Sequence, residues 1–300
     1  MGPSHRDEGP VLKRLAPRIQ CGKRAAAIRA TALVRVRRAD SLMVMAELVY
    51  RPVILTAKTL FAALGIRFDI VGLERIPRSG GAIIAINHTS YLDFALSGLP
   101  AEHAGHRLVR FMAKDAIFRH PIGGPLMRGM KHIPVDREAG SQAFRDAVRA
   151  AKDGELIGVF PEATMSRSFE VKDIKNGAVR MAIAADVPLI PMIVFGGQRI
   201  LGYDRKDFSR GKTVAMTLGE PMHPKRGDDT EVLTVELHER MAALLDETLD
   251  RYPAPVPGED PWWLPKRRGG TAPSLEEAEA IEERIRAERA ARRDGSERLP

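Results

Sequence analysis

Four short, largely apolar runs, Ala82–Ile86, Leu156–Phe160, Leu189–Phe195 and Thr213–Leu218, recur along the chain with helix-like segments between them. Each fits a strand buried in a sheet. In the intervals the apolar spacing changes. Phe144, Ala147, Val148 and Ala151 share one face of a helix that starts at Ser141 and stops near Gly154, and Gly177–Ala185 reads as another. Val232, Val235, Leu245 and Leu249 mark a last core helix across Thr230–Asp250. Strand and helix signals alternate from Val71 onward, so the expected fold is α/β: a mixed central sheet flanked by helices. That domain is read as residues 67–252, preceded by a basic arm (1–40) and an amphipathic helical segment (41–66). A Pro/Trp connector with a charged helical tail (253–300) follows it.

Charge separates these parts. The 300 residues carry 47 Lys/Arg and 39 Asp/Glu, a net charge of +8. Residues 1–40 hold ten basic and three acidic residues, whereas the segment between residues 41 and 265 is balanced. A nucleic-acid-binding core carries its own basic face, so no nucleic-acid partner is expected. Cys21 is the one cysteine, which excludes a disulfide framework or a cysteine-based zinc site within the chain. The start, Met1-Gly-Pro-Ser-His-Arg6, lacks the apolar core of a signal peptide and the Ser/Thr of a myristoylation motif.

Leu42–Ile66 is the most apolar long segment, but Glu47, Arg51, Pro52 and Lys58 interrupt it. A bilayer span needs about 20 mainly apolar residues. The segment reads instead as one or two amphipathic helices broken near Pro52, which lie in a membrane interface or cover the core. Arg29, Arg35, Arg37 and Arg38 just before it add attraction to anionic lipid. Trp262-Trp263 beside Lys266-Arg267-Arg268 admits two readings, an interfacial anchor or a latch onto the core. Ser274–Arg293, with Glu282/Arg286 and Glu288/Arg292 pairs, reads as a solvated charged helix.

The chemistry concentrates in Asn87-His88-Thr-Ser-Tyr-Leu-Asp93, placed where a strand hands over to a helix. An imidazole accepts a proton from an alcohol near neutral pH, and a carboxylate on its other nitrogen fixes the tautomer. Neither a Gly-x-Ser-x-Gly elbow nor a suitably placed cysteine occurs, which points to a substrate hydroxyl as the nucleophile. Ser90-Tyr-Leu-Asp93 also fits a capping box beside a structural histidine.

Further segments fall into an order that resembles the PlsC-like lysophospholipid acyltransferase family (1-acylglycerol-3-phosphate O-acyltransferases) over about residues 70–220. Val71-Gly-Leu-Glu-Arg-Ile-Pro77 is similar to its lead-in, and Asn87–Asp93 to its first motif. Ile133-Pro-Val-Asp-Arg137 is similar to the second, Phe160-Pro-Glu-Ala-Thr164 to the third, and Val187-Pro-Leu-Ile-Pro191 to the fourth. The resemblance implies His88 as general base and Asp93 as its partner, with Arg137 and Lys114 near an acceptor phosphate and Lys175 following the third motif. Arg167 is a further cation, Thr164 belongs to the third motif, and Glu162 is assigned to acceptor hydroxyls or to orienting a cation.

The third motif departs from Phe-Pro-Glu-Gly-Thr-Arg-Ser at two places, Ala163 for glycine and Met165 for arginine. Alanine discourages positive φ, so a right-handed or extended backbone is expected at 163. Methionine cannot bind phosphate. Arg167, two residues on, is the nearest substitute.

The expected reaction is direct acyl transfer from acyl-CoA or acyl carrier protein to the hydroxyl of a lysophospholipid, with no metal or resident cofactor. Another lysophospholipid or a glycolipid alcohol is the alternative acceptor, and a non-catalytic basic lipid-binding protein is the alternative outside enzymes. The expected location is peripheral, on the cytoplasmic face of the cell membrane.

Overall fold

The computed structural model describes residues 49–136 and 140–297. It contains a seven-stranded sheet made of β1 (Arg67–Val71), β2 (Ala82–Ile86), β3 (Val109–Lys114), β4 (Ile133–Val135), β5 (Leu156–Val159), β6 (Leu189–Phe195) and β7 (Thr213–Leu218). Their spatial order is β1-β7-β6-β2-β5-β3-β4. The pairs β6-β2, β2-β5, β5-β3 and β3-β4 are parallel, whereas β7 meets β6 antiparallel. The sheet is therefore mixed, as expected.

Alternation along β2 sorts the core into two layers. Ile83 and Ala85 pack with Ala143, Ala147 and Ala151 of α6 (Gly140–Lys152), with α7 (Gly177–Ala185) and with α8 (Thr230–Arg251). Ala82, Ile84 and Ile86 face the other way, toward Leu96 of α2 (Asp93–Leu96) and Leu99 of α3 (Leu99–Gly105). Both faces are covered, which is why the strands read as continuous apolar runs. Each fully buried isoleucine contributes about 1.5–3 kcal/mol relative to an exposed one.

A first helix, α1, covers residues 49–63 and runs through Pro52 without a break, contrary to the expected interruption there. Its contacts recur every three or four residues. Tyr50 and Phe61 are buried and Val53, Ile54 and Ala57 partly so, while Leu55 and Leu60 remain exposed. The basic arm and residues 41–48 lie outside the described residues. Among the described residues no helix is long and apolar enough to cross a membrane.

The tryptophan pair of the C-terminal segment packs onto the core, while the charged helix that follows is mostly exposed, as expected. Trp263 is 1% exposed, packed on Phe195 and Tyr252, and its indole N–H donates to Glu259 at 2.9 Å. Of the two readings of the tryptophan pair, the structure realises the latch. Helix α9 (Leu275–Glu297) then docks its first turns through buried Ala278.

Candidate active site

The parallel strands β2, β3, β4 and β5 end on one edge of the sheet, where α/β folds place their ligands. His88 follows β2 by two residues, Phe160 follows β5 directly, and Lys114 closes β3. Asn87 anchors the first of these loops. Its side-chain amide donates to the Val194 carbonyl at 3.1 Å and accepts the Val194 N–H at 2.7 Å.

Asp93 is fully buried at the start of α2. Its Oδ2 accepts the N–H groups of Thr89 at 2.6 Å and Ser90 at 2.7 Å and lies 3.0 Å from His88 Nδ1. One oxygen therefore makes both the capping contacts and the contact to the imidazole. Burial pushes the Asp93 carboxyl above its usual range, while the His88 contact and the two N–H groups pull it down. With Asp93 accepting from Nδ1, Nε2 is the nitrogen left for a substrate proton. The His88 side chain is 24% exposed, so it reaches solvent while its partner does not.

Packing fixes the imidazole plane. Phe160 stacks on the His88 ring at 4.5 Å between centroids, and Phe111 lies nearly parallel beyond it at 6.2 Å. Phe111 fits because position 158 is glycine. A Cβ there would come within 2.6 Å of the Phe111 ring.

The third-motif loop grips the backbone of His88 from the other side. Glu162 Oε1 accepts the His88 N–H at 2.9 Å, Glu162 Oε2 accepts the Lys172 N–H at 3.2 Å, and the Ser166 N–H donates to the His88 carbonyl at 2.6 Å. Glu162 is thus a buried brace for the loop. Burial pushes its carboxyl up to about 8, against the downward pull of those N–H groups and of the Lys172 charge.

Position 163 corrects an expectation. Ala163 adopts φ +63°, the left-handed conformation that glycine takes freely. The turn keeps the backbone of a glycine motif, because Glu162 and Thr164 are held on either side of it. Left-handed backbone costs a non-glycine residue about 1–2 kcal/mol. Ala163→Gly is accordingly expected to stabilise the protein by about 0.5–1 kcal/mol, after the entropy that glycine adds to the unfolded chain. Chemical denaturation measures this, and equal or lower stability would contradict the assignment.

The remaining sequence-designated residues divide. Thr164 Oγ1 accepts from Lys172 Nζ at 2.7 Å. Arg167 lies next to Ser166, but its guanidinium pairs with Asp204 at 2.7 Å and stacks over Tyr203 at 3.9 Å. Met165 is buried at 5% exposure, so the side chain at that position points into packing. Lys175 is exposed and its N–H donates to the Pro161 carbonyl. Lys114 is exposed at the end of β3, in register with Val135 of β4, two residues before Arg137. Arg137 itself lies outside the described residues. Lys172 escaped the sequence reading, since a lysine eight residues beyond Thr164 matches no motif.

A buried carboxylate holding an accessible imidazole at the carboxyl edge of an α/β sheet, with no nucleophilic side chain in their hydrogen bonding among the described residues, is an arrangement able to transfer a proton. The Acyltransferase family model matches residues 67–195, the stretch from β1 through β6 that contains this site. Residues 67–195 thus carry an acyltransferase domain, and the chain is an enzyme similar to the PlsC-like acyltransferases.

The 1-acyl-sn-glycerol-3-phosphate acyltransferase of Bacillus subtilis (strain 168) is 28% identical over 177 residues, covering 58% of this chain and 80% of that protein. The Limnanthes douglasii protein of the same name is 32% identical over 138 residues, covering 44% of this chain and 46% of its own length. The chain thus spans less than half of that plant relative. The crystal structure of the 1-acyl-sn-glycerophosphate acyltransferase PlsC from Thermotoga maritima superposes with a TM-score of 0.56 at 24% identity. It covers 71% of this chain and 81% of that one, a likeness of fold.

Proposed function

We propose that this acyltransferase moves a fatty acyl group from a thioester, of coenzyme A or acyl carrier protein, to the free hydroxyl of 1-acylglycerol-3-phosphate, yielding phosphatidic acid. The observation that carries the reading is the His88–Asp93 pair, 3.0 Å apart with one partner buried and the other reaching solvent. The names of the Bacillus and Limnanthes relatives support the acceptor.

In this mechanism His88 Nε2 takes the proton of the acceptor hydroxyl as its oxygen attacks the thioester carbonyl. The tetrahedral intermediate collapses, the C–S bond breaks, and the imidazolium returns its proton to the departing thiolate. Buried Asp93 stabilises the transient imidazolium and holds its orientation. An activated thioester and a positioned base suffice for this chemistry.

The acceptor phosphate needs cations. Lys114 ends β3 and Lys175 lies beside the third-motif loop, while Arg137 of the second motif is outside the described residues. Arg167 joins them by leaving Asp204, whose side chain is 75% exposed. Exchanging such a screened ion pair costs about 0–1 kcal/mol. A membrane surface would supply the lysophospholipid, and exposed Leu55 and Leu60 on α1 suit contact with it.

The test is an acceptor panel run against one acyl thioester. Transfer to 1-acylglycerol-3-phosphate at least tenfold faster, by kcat/KM, than to lysophosphatidylcholine or a glycolipid alcohol is expected, since a phosphate held by charged donors gains about 1.5–3 kcal/mol. Preference for an acceptor lacking the phosphate monoester would overturn the assignment.

A further inference from the structure

The loop from 160 to 176 contains two non-glycine residues at positive φ, Ala163 and Phe169. A bulky side chain in that conformation persists where its surroundings over-determine it. Here the surroundings come from the C-terminal segment, beyond the matched residues 67–195. Trp262 meets Phe169 edge-on at 6.2 Å between centroids, Arg267 pairs with both Glu170 and Asp246, and Glu282 of α9 places both carboxylate oxygens 3.0 Å from Lys172 Nζ. Three neighbouring loop positions are each held by the tail.

Lys172 carries that hold inward. Its ammonium also donates to Thr164 Oγ1, and its backbone N–H donates to Glu162, whose other oxygen accepts the His88 N–H. The path Glu282, Lys172, Glu162, His88 consists of hydrogen bonds of 2.9–3.2 Å. Lys172 and Glu282 side chains are 20% and 16% exposed, so water screens this pair less than it screens an ordinary surface pair. The loop has no comparable cation–carboxylate tie within the acyltransferase segment, among the described residues: its other basic side chain in such a pair, Arg167, binds the outlying Asp204.

We propose that Glu282, on the C-terminal helix, is a positioning residue for acyl transfer, acting through Lys172 to set the third-motif loop against the backbone of His88. The inference rests on the proposed catalytic role of His88. The tail thereby completes the site geometry from outside the shared domain.

The experiment compares full-length Glu282→Ala, Glu282→Asp, Lys172→Met and the double variant Glu282→Ala/Lys172→Met. Glu282→Ala is expected to lower kcat about tenfold with KM for both substrates within about twofold, because misplacement acts on the reacting geometry more than on binding. Glu282→Asp recovers most of the rate. The double variant is no slower than Lys172→Met alone, since contacts in one network are not additive. Backbone amide exchange at residues 88–90 and 160–164 rises in Glu282→Ala, a readout that needs no turnover.

Unchanged kcat, or losses that multiply independently with those of Lys172→Met, would overturn the proposal. So would unchanged amide protection. Should Glu282→Ala fold poorly, Glu282→Gln removes the charge at constant size and is held to the same expectations. His88→Ala run in parallel separates the two claims: full activity in His88→Ala strikes the underlying mechanism. Its loss beside an unaffected Glu282→Ala strikes only the role of the tail.

Discussion

Exchanging Asp93 for asparagine is expected to lower kcat by about a hundredfold or more while the protein folds normally. The reason lies in how its oxygens are used. Oδ2 serves Thr89, Ser90 and His88, whereas Oδ1 is buried without a partner. Asparagine can place its carbonyl oxygen where Oδ2 stands and keep both backbone N–H groups satisfied, while its NH2 is buried where Oδ1 has no partner, at a cost of about 1–3 kcal/mol. His88 then keeps its orientation and tautomer, and what disappears is the negative charge that stabilises the imidazolium. Asp93→Ala removes the orientation as well, and it leaves two buried donors unpaired at about 1–3 kcal/mol each. The alanine variant should therefore be slower still and less stable. Steady-state kinetics with circular dichroism and thermal melts check both. Asparagine at wild-type rate would show that the carboxylate serves only as a cap.

The second large effect concerns Glu162. Glu162→Ala orphans the N–H groups of His88 and Lys172, and is expected to cost about 2–6 kcal/mol of stability, at about 1–3 kcal/mol for each donor. Its pH signature separates this brace from an ordinary surface carboxylate. Burial raises the folded-state pKa to about 8, so the native protein keeps a proton that the unfolded chain releases near the usual glutamate value. Stability from this group is full below that value and is lost as the pH rises through about 8. Between about pH 5 and 8 the native state binds more protons than the unfolded state, giving a decline approaching about 1.4 kcal/mol per pH unit from this group alone. Glu162→Gln has no proton to lose and should flatten that slope in denaturation curves taken across the window. Equal slopes in wild type and glutamine variant would show that Glu162 is ionised in the native state.

Much of this site was legible from residue types and spacing. The runs at Ala82, Leu156, Leu189 and Thr213 announced their strands because both faces of the sheet are covered. Three strands gave no such signal. β3 contains Arg110, a charge tolerated at 4% exposure because Glu155 and the Met130 carbonyl satisfy it, and β4 is only Ile133-Pro-Val135. Periodicity cannot reveal a buried arginine whose partner lies 45 residues away. Likewise His88 and Asp93 sit within one loop and were paired from their spacing, whereas Glu162, marked by the third motif, braces them through backbone atoms, a role that no residue pattern encodes. The left-handed Ala163 ran against intrinsic preference because neighbours on both sides fix the turn. The docking of the tail left little trace for a related reason. It rests on separate contacts, among them Trp263, Ala278 and Glu282, spread too thinly to form an apolar stripe.

The central claim is that His88 performs proton transfer in the acylation of a lysophospholipid. It is tested most directly by measuring phosphatidic acid formation from 1-acylglycerol-3-phosphate and an acyl thioester, with wild type and His88→Ala side by side. Robust turnover by wild type, and a fall of about 10³–10⁴-fold in a His88→Ala protein of unchanged melting temperature, is the predicted result. Turnover at the wild-type rate by His88→Ala would contradict it.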